Sequence, residues 1–387
     1  MWDETRLPGK ISKVGDVARR KRLLVNRENS DMHKTTIAIA AAMAALLTAS
    51  AASAQNKISL TVAAGQPPAA LPSLALVGKL FIPEVNKRIK AANLNVEIDW
   101  KEAYAGSLLK PYQMLDGIKD GLADIGFVPI IFFPDKLPLE TIGFFVPFLT
   151  ADPVITTRIV NALHQKLPEF SAQYDKFNQV RLGGSSVDSF ELLTTFPVRK
   201  VEDLKGRKIS TAGAALAWLR GTGATPVQAN MMEYYNSIKT GVYEGAIIFP
   251  SSFPAMKYPE VAPYITKVGF GSQYSSVLTM NKDAYRKLPE AARKIMHEVA
   301  EIWSIESDKA YQTAGDAGYK LLPGFKAQLY EFPREEQIKW AKMMPNIAKE
   351  WAQNMEKQGL PGNKTLAIFM EEARKAGIKP VRDWDKE

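Results

Sequence analysis

The sequence predicts an α/β protein folded into two lobes. Strand patterns and helix patterns alternate through the first half of the chain, and the same alternation returns in the second half. Neither a low-complexity linker nor a repeat of fixed period separates the two halves. Two α/β lobes joined by several crossing segments therefore fit this sequence better than two independent domains in tandem.

The first half contains three predicted strands and two predicted helices. Residues 58–64 are rich in β-branched side chains, and residues 95–100 alternate between apolar and polar side chains, as strands do. Apolar residues at helical spacing cover residues 74–90 and 114–122, and a short buried strand follows at residues 123–129. This β-α-β-α-β order predicts a parallel sheet with helices on both faces.

The second half repeats this organisation with shorter elements. The patterns predict strands at residues 180–185, 189–195, 208–211 and 246–249, and helices at residues 215–222 and 233–240.

The clearest helix of the chain follows this part. Apolar side chains at positions 292, 295, 296, 299, 302 and 303 lie on one helical face. The helix is predicted to begin near Pro289 and to continue past Tyr311, which would make it unusually long. Residues 333–357 are predicted as a further helix, ended by Gly359 and Pro361.

Residues 32–54 have the layout of a secretory signal peptide. His33 and Lys34 form a short positive region, an alanine-rich apolar stretch follows, and Ala52-Ser53-Ala54 is a cleavage site. We expect cleavage after Ala54 and export to the periplasm.

Residues 1–31 show no apolar pattern. We expect translation to begin at Met32, so that this segment is a mis-assigned or disordered leader. The alternative is a nucleic-acid-binding arm built on the basic run Arg19-Arg20-Lys21-Arg22.

The composition argues against several functional classes. A formal net charge of +9 is mild for 387 residues, and no basic stripe interleaved with aromatic side chains occurs, so no nucleic-acid partner is expected for the globular part. The absence of cysteine excludes disulfides, thiolate metal sites and cysteine nucleophiles. No later stretch reaches about 18 consecutive apolar residues, so the mature chain is expected to be soluble.

Catalytic motifs are also missing. After the signal peptide the only histidines are His164 and His297, and His297 lies on the long helix, where a structural role is expected. No P-loop, zinc-protease, nucleophile-elbow or dinucleotide-binding signature occurs, and no metal ligands cluster. The missing motifs argue against an enzyme, and we expect neither a cofactor nor a metal; a secreted α/β enzyme stays open as an alternative.

Several stretches, in a fixed order, carry a family resemblance. They are YQMLDGIKDGLADIG (residues 112–126), FFVPFL (144–149), VEDLKGRKI (201–209), GATPV (223–227), EYYNSIKTGVYEG (233–245) and NKDAY (281–285). They are distributed within residues 57–330, and they resemble the extracytoplasmic solute-binding subunit of TRAP transporters, the DctP-type family.

The resemblance implies a periplasmic binding protein fold with a ligand cleft between two lobes and a long helix that spans both. It also implies hinge closure over one small organic solute and delivery of that solute to membrane permease subunits. We expect lobe I to comprise residues 55–183 and 270–310, lobe II to comprise residues 184–269 and 311–350, and residues 351–387 to form a C-terminal helical extension. A binding protein of an ABC or sensor system is the alternative.

The sequence departs from the family where its members bind a ligand carboxylate. Where the family usually has an arginine at the end of the strand after Leu-Lys-Gly, this chain has Ser210, and a second usual arginine is replaced by Phe190 or Glu191. The planar fork of arginine matches two carboxylate oxygens, so the usual clamp is missing here. A buried Glu191 without a partner would in addition be costly.

These departures favour a non-acidic ligand, either a cationic amine or a largely apolar aromatic molecule. Two alternatives stay open. Glu191 pairs with a structural cation such as Arg181, or Arg207 or Arg220 supplies a shifted clamp for a conventional organic acid.

The predicted ligand-binding residues combine polar groups with aromatic faces suited to cation–π contact. They are Gln66, Trp100, Tyr104, Phe127, Phe190, Glu191, Ser210, Trp218, Met231, Phe249 and Tyr274.

Overall fold

The computed structural model describes residues 56–387, so the predicted leader and signal peptide lie outside the described residues. The strands of this part of the chain form two separate sheets, which we call the lobe I sheet and the lobe II sheet. The strands are β1 (Asn56–Ala64), β2 (Val96–Ala103), β3 (Ile125–Pro129), β4 (Gln179–Val187), β5 (Glu191–Thr194), β6 (Lys208–Thr211), β7 (Thr225–Gln228), β8 (Gly245–Ile248), β9 (Tyr264–Lys267), β10 (Gln273–Asn281) and β11 (Gln328–Glu331).

The lobe I sheet has the strand order β2-β1-β3-β10-β4. Strands β1 and β3 pair in parallel, with Val62 opposite Ile125, as the alternation of strands and helices predicts. Strand β10 runs antiparallel to both of its neighbours, so that Ser276 lies opposite Pro129 on one side and Ser185 on the other. The sequence patterns had not predicted β10, because its residues are all buried and lack the alternation of a half-exposed strand.

The lobe II sheet has the order β11-β9-β5-β8-β6-β7. Strand β6 pairs in parallel with both β7 and β8, while β5 pairs antiparallel with β8 and β9. The carboxyl ends of β6, β7 and β8 therefore meet at one edge of the sheet.

The α-helices pack on the faces of these sheets and at their edges. They are α1 (Pro72–Leu76), α2 (Ile82–Ala91), α3 (Met114–Lys119), α4 (Pro153–Lys166), α5 (Glu169–Asp175), α6 (Tyr234–Lys239), α7 (Phe253–Met256), α8 (Lys282–Lys287), α9 (Glu290–Lys320), α10 (Arg334–Met343), α11 (Ile347–Lys357) and α12 (Gly362–Lys375). None of the helices within residues 56–387 combines the length and the apolar character that a membrane crossing requires.

Two predicted single helices are interrupted, and proline accounts for both breaks. A π-helical segment, Val77–Phe81, joins α1 to α2, because Pro83 has no N–H to continue the α-helical hydrogen-bond pattern. Pro345 separates α10 from α11, since the residue before a proline is biased away from helical geometry. Asn346 then caps α11 by accepting a hydrogen bond from the Lys349 N–H at 2.9 Å.

The chain passes between the two sheets from β4 to β5, from β9 to β10, and again along α9. With 31 residues, α9 is about 46 Å long. It packs against β4 at Gly183, where an added Cβ would lie 2.9 Å from the Ala300 carbonyl oxygen. Further along, Gly318 lies so close to lobe II that its Cβ would be 2.2 Å from the Pro250 carbonyl oxygen. The predicted long helix thus spans both lobes, whereas the residue boundaries of the lobes and of the C-terminal extension remain predictions.

Candidate functional site

A small cavity, which we call the cleft cavity, lies between the two sheets. Most of its lining residues follow the carboxyl ends of β1, β3, β6, β7 and β8, which is where open α/β sheets bind ligands. Lobe I contributes Gln66, Leu71, Pro111, Pro129, Ile131, Phe132, Ser275 and Ser276. Lobe II and the segment that leads into it contribute Phe190, Thr211, Ala212, Asn230, Met231, Tyr234, Ile248 and Phe249.

The cleft cavity has a volume of about 50 Å³. This volume corresponds to roughly three to five water molecules. Its lobe II wall is aromatic, because the rings of Phe190 and Phe249 meet edge to face with their centroids 5.3 Å apart. Such a wall suits a flat apolar ligand.

The two lobes touch each other beside this cavity. Gly213 follows the end of β6 with a φ of +47°, and a Cβ added to it would lie 1.8 Å from the Ile131 carbonyl oxygen of lobe I. Nearby, the Asn230 side chain of lobe II donates a hydrogen bond to the Tyr112 hydroxyl of lobe I at 3.4 Å. The lobes therefore touch each other in the described arrangement, and the cavity lies between them.

Gln66 is a buried polar side chain that lines the cleft cavity. Its backbone is held firmly, because the Ala105 N–H donates to the Gln66 carbonyl at 3.0 Å and the Gly106 N–H donates to the Ala64 carbonyl at 3.1 Å. The side chain is only 3% exposed, yet its Oε1 has no hydrogen-bond partner among the described residues. A buried amide oxygen without a hydrogen bond raises the free energy of the folded protein unless a ligand or a water molecule donates to it.

Asn230 and Thr211, which also line the cavity, have hydrogen-bond partners within the protein. The Asn230 Oδ1 accepts from the Met232 N–H at 2.9 Å, and the Thr211 hydroxyl donates to the Ile247 carbonyl at 3.5 Å. Ser275 lies where the register between β10 and β4 shifts, which makes it the bulged residue of β10 and turns it toward the cavity.

No acidic or basic side chain of residues 56–387 lines the cleft cavity. The arginines considered as a shifted carboxylate clamp are engaged elsewhere. Arg207 pairs with Glu244 at 2.6 Å and lies over the ring of Phe196, while Arg220 forms a two-point ion pair with Glu350. Within the same residues, no group of three or more His, Asp or Glu side chains is arranged to hold a metal ion.

The structure brings four of the predicted ligand-binding residues together around the cleft cavity: Gln66, Phe190, Met231 and Phe249. The others lie outside its lining, and each has a different environment.

Ser210, Trp218 and Tyr274 lie close behind the cavity but bond to the protein. The Ser210 hydroxyl donates to the Val227 carbonyl at 3.0 Å, within the β6–β7 pair. The Trp218 indole N–H donates to the Phe144 carbonyl at 2.6 Å, and its ring stacks on Phe270 at 5.0 Å. The Tyr274 hydroxyl accepts from the Arg181 Nε at 3.1 Å.

Phe127, Trp100 and Tyr104 lie on the lobe I side. Phe127 packs edge to face on Trp303, with centroids 6.4 Å apart. Trp100 donates from its indole nitrogen to the Asn86 Oδ1 at 2.9 Å, at the sheet edge. Tyr104 is half-buried, and burial raises the pKa of its hydroxyl.

Glu191 faces a second cavity on the other side of the lobe II sheet. This second cavity has a volume of about 580 Å³ and is bordered by α9 and by the segments that cross between the lobes. The Glu191 Oε2 accepts from the Gly269 N–H at 2.7 Å, so its partner is a backbone amide rather than Arg181. Burial raises the pKa of the Glu191 carboxyl to about 7, and that of Asp188 in the same cavity also to about 7.

Several lining residues escaped the sequence analysis, including Ile131, Thr211, Asn230, Ser275 and Ser276. For Ile131 and Thr211 a signal existed, because they lie at the carboxyl ends of the predicted strands at residues 123–129 and 208–211. Asn230 follows β7, which the sequence analysis did not predict. Ser275 and Ser276 belong to β10, which had no strand pattern to reveal it.

Two lobes, a long helix spanning both and a cavity enclosed between their sheets define a two-lobed solute-binding protein. A family model described as bacterial extracellular solute-binding protein, family 7 (DctP), matches residues 82–354, and this chain belongs to that family.

Curated relatives share part of this sequence. A solute-binding protein of Albidiferax ferrireducens is 26% identical over 263 residues, covering 63% of this chain and 74% of that protein. The C4-dicarboxylate-binding periplasmic protein DctP of Rhodobacter capsulatus is 27% identical over 169 residues, covering 41% of this chain and 48% of that protein. The uncharacterized protein YiiZ of Salmonella typhimurium is 30% identical over 116 residues, which is 30% of this chain and 35% of YiiZ. The chain therefore aligns with less than half the length of the latter two relatives.

Solved structures share the fold. A TRAP solute-binding protein from Rhodoferax ferrireducens, crystallised with copurified benzoate, matches with a TM-score of 0.73 and 20% identity, covering 83% of this chain and 98% of that chain. A TRAP periplasmic solute-binding protein from Chromohalobacter salexigens with bound D-glucuronate matches with a TM-score of 0.69 and 18% identity, covering 81% of this chain and 99% of that chain. At these identities the likeness establishes the two-lobed α/β fold and does not extend to the ligand.

Proposed function

We propose that this chain is the periplasmic binding subunit of a TRAP-type transporter and that it captures a small, uncharged, largely apolar organic solute without altering it. The family membership supports the role in solute binding. The observation that carries the choice of solute is the lining of the cleft cavity, which is mainly apolar and has no acidic or basic side chain.

The absence of a cation in that lining weighs against an organic acid. An ionised carboxylate taken from water into an apolar site costs several kcal/mol unless a charged partner or several N–H donors compensate it. The nearest buried guanidinium, that of Arg181, bonds to the Tyr274 hydroxyl and to the Asn161 Oδ1 at 3.0 Å, outside the cleft cavity.

A cationic amine has no better support. The carboxylate that would hold it was expected to be Glu191, which lines the second cavity instead. Of the two non-acidic ligand types that the sequence favoured, the apolar lining of the cleft cavity supports the apolar aromatic molecule.

Closure of the lobes supplies the binding mechanism. Lining residues come from both lobes, so most ligand contacts form only when the lobes are together, and the ligand stabilises the closed state by this difference. Burying apolar surface contributes about 25 cal/mol for each Å², which favours a ligand that fills the cavity. Release to the permease then requires the lobes to separate.

Isothermal titration and thermal unfolding of the purified protein test this proposal. The probes are toluene, benzamide, benzoate and benzylamine, which differ mainly in the group attached to one ring. We expect the uncharged probes to bind and to raise the melting temperature by linkage, and the charged probes to bind more weakly.

A variant with a filled cavity is the matched control. Ala212→Leu adds apolar bulk to the cavity wall, and we expect it to fold but to lose binding of the uncharged probes. Stabilisation by benzoate alone would contradict the proposed solute class, and turnover of any bound probe would contradict the proposed role as a binding protein.

A further inference from the structure

We infer that the Gln66 side chain is the polar anchor of the cleft cavity and that it selects a ring-bearing solute with a carboxamide or lactam head. This inference rests on the proposed function and names the chemical class of the solute. Backbone hydrogen bonds hold the Gln66 main chain in place, while its buried side-chain amide has no hydrogen-bond partner among the described residues.

The position of Gln66 is set without the help of its side chain. Gln66 follows β1, and the turn at Ala105 and Gly106, both with positive φ, donates two backbone hydrogen bonds to this segment. The side chain is therefore not needed to hold the loop. No hydrogen bond of the Gln66 amide to another described residue is present, although the residue is 97% buried.

The chemistry of the amide group defines its partner. A glutamine side chain presents an acceptor oxygen and an NH₂ donor side by side, and an exchange of the two positions leaves this pairing intact. A primary amide or a lactam offers the complementary pair, a donor next to an acceptor, on one edge. Both hydrogen bonds can then form at once inside an apolar cavity, where such bonds are strong.

Other head groups satisfy only part of this requirement. A carboxylate offers acceptors alone and leaves the Gln66 oxygen facing negative charge, with no cation in the lining. An ammonium group offers donors alone. A methyl group leaves both polar atoms of Gln66 unbonded, so a ligand that carries it should bind more weakly than the amide.

The test compares benzamide, benzoate, benzylamine and toluene on wild-type protein, Gln66→Leu and Gln66→Glu by isothermal titration. For the wild type we expect benzamide to bind at least about tenfold more tightly than toluene.

The variant Gln66→Leu should remove this preference, because benzamide should bind it about tenfold more weakly while toluene binds as tightly as before. Gln66→Glu should lose benzamide affinity and gain affinity for benzylamine. Gln353→Leu makes the same chemical change on the exposed face of α11 and should behave as wild type.

The outcomes separate this inference from the proposed function. If the wild type binds benzamide and toluene equally, or if Gln66→Leu and Gln66→Glu both keep the wild-type preference, the anchor role is overturned while the cleft remains a site for uncharged solutes. If none of the four probes binds the wild type, the proposed function fails and the anchor role fails with it. Circular dichroism of each variant confirms that the fold is retained.

Discussion

Phe190 and Glu191 are consecutive residues that face opposite sides of the lobe II sheet. The Phe190 ring lies against Phe249 in the wall of the cleft cavity, with centroids 5.3 Å apart. The Glu191 carboxylate accepts a hydrogen bond from the Gly269 N–H at 2.7 Å and lines the second cavity. Because successive side chains of an extended strand point to opposite faces, only one of the two can touch the ligand.

The first prediction concerns the role of Glu191 in binding. Glu191→Gln should leave the affinity for an uncharged cleft ligand within about twofold of wild type, because the side chain lies on the far side of the sheet from the cleft cavity. Titration calorimetry with toluene or benzamide measures this. A loss of tenfold or more would place Glu191 in the ligand site.

The second prediction concerns the pH dependence of stability. Burial raises the pKa of Glu191 from 4.5 to about 7 in the folded protein, so between about pH 4.5 and pH 7 the folded state binds more protons than the unfolded state. The free energy of unfolding contributed by this group therefore falls as the pH rises through that window. Relative to wild type, Glu191→Gln should gain stability from pH 5 to pH 8, by up to about 3 kcal/mol.

Urea unfolding at the two pH values measures this difference. Comparing the variant with wild type cancels the opposite contributions of His164 and His297, whose pKa values burial lowers. A difference in stability that does not change with pH would show that the Glu191 carboxyl is not buried as described.

The third prediction concerns the contact between the lobes. Gly213→Ala places a Cβ 1.8 Å from the Ile131 carbonyl oxygen, so the lobes cannot close fully. We expect ligand affinity to fall at least about tenfold and small-angle scattering to report a more open molecule in the presence of ligand.

Gly206→Ala is the matched control, since Gly206 also has a positive φ but has no atom within 4 Å of its added Cβ. That control should cost about 1–2 kcal/mol in stability and leave affinity unchanged. Equal effects of the two substitutions would contradict the contact.

The fourth prediction separates packing from binding at Trp218. Its indole N–H donates to the Phe144 carbonyl, and its own carbonyl accepts from the Trp340 indole N–H at 2.7 Å. Trp218→Phe should lower the free energy of unfolding by about 2–4 kcal/mol, because a buried acceptor loses its donor and a cavity forms. Ligand affinity at 25 °C should stay within about twofold. An affinity loss without loss of stability would make Trp218 a ligand-binding residue.

Much of the fold was accessible from sequence because it depends on local patterns. The strand at residues 208–211 was predicted with the bounds that β6 has, and the spacing of apolar residues from position 292 predicted the body of α9. In these elements the apolar residues recur at a regular spacing, because one face of the element is buried. Sequence analysis detects this spacing.

Strand β10 lacked such a signal for a physical reason. It is buried on both faces although it contains Gln, Ser, Thr and Asn side chains. One of these, Asn281, donates from its amide to the Ile118 carbonyl at 2.7 Å. The strand's neighbours Pro129 and Ser185 lie far away in the chain. Such a strand is specified by tertiary contacts and not by its own periodicity.

The site was only partly predictable for the same reason. Phe249 is the last residue of a predicted strand, and its position near the carboxyl edge of the sheet could be inferred from that. The choice between Phe190 and Glu191 depended on the register of β5. The position of Gln66 depends on a backbone hydrogen bond from the turn at Ala105, where a non-glycine residue adopts a φ of +56°. Neither feature leaves a pattern in the sequence.

The most direct test of the account is a crystal structure of the protein purified from periplasm, together with mass spectrometry of the molecule that copurifies with it. The account predicts an uncharged, ring-bearing molecule enclosed between Gln66 and Phe249, with the lobes closed around it. A carboxylate held by an arginine, or a ligand found only in the second cavity beside Glu191, would contradict it.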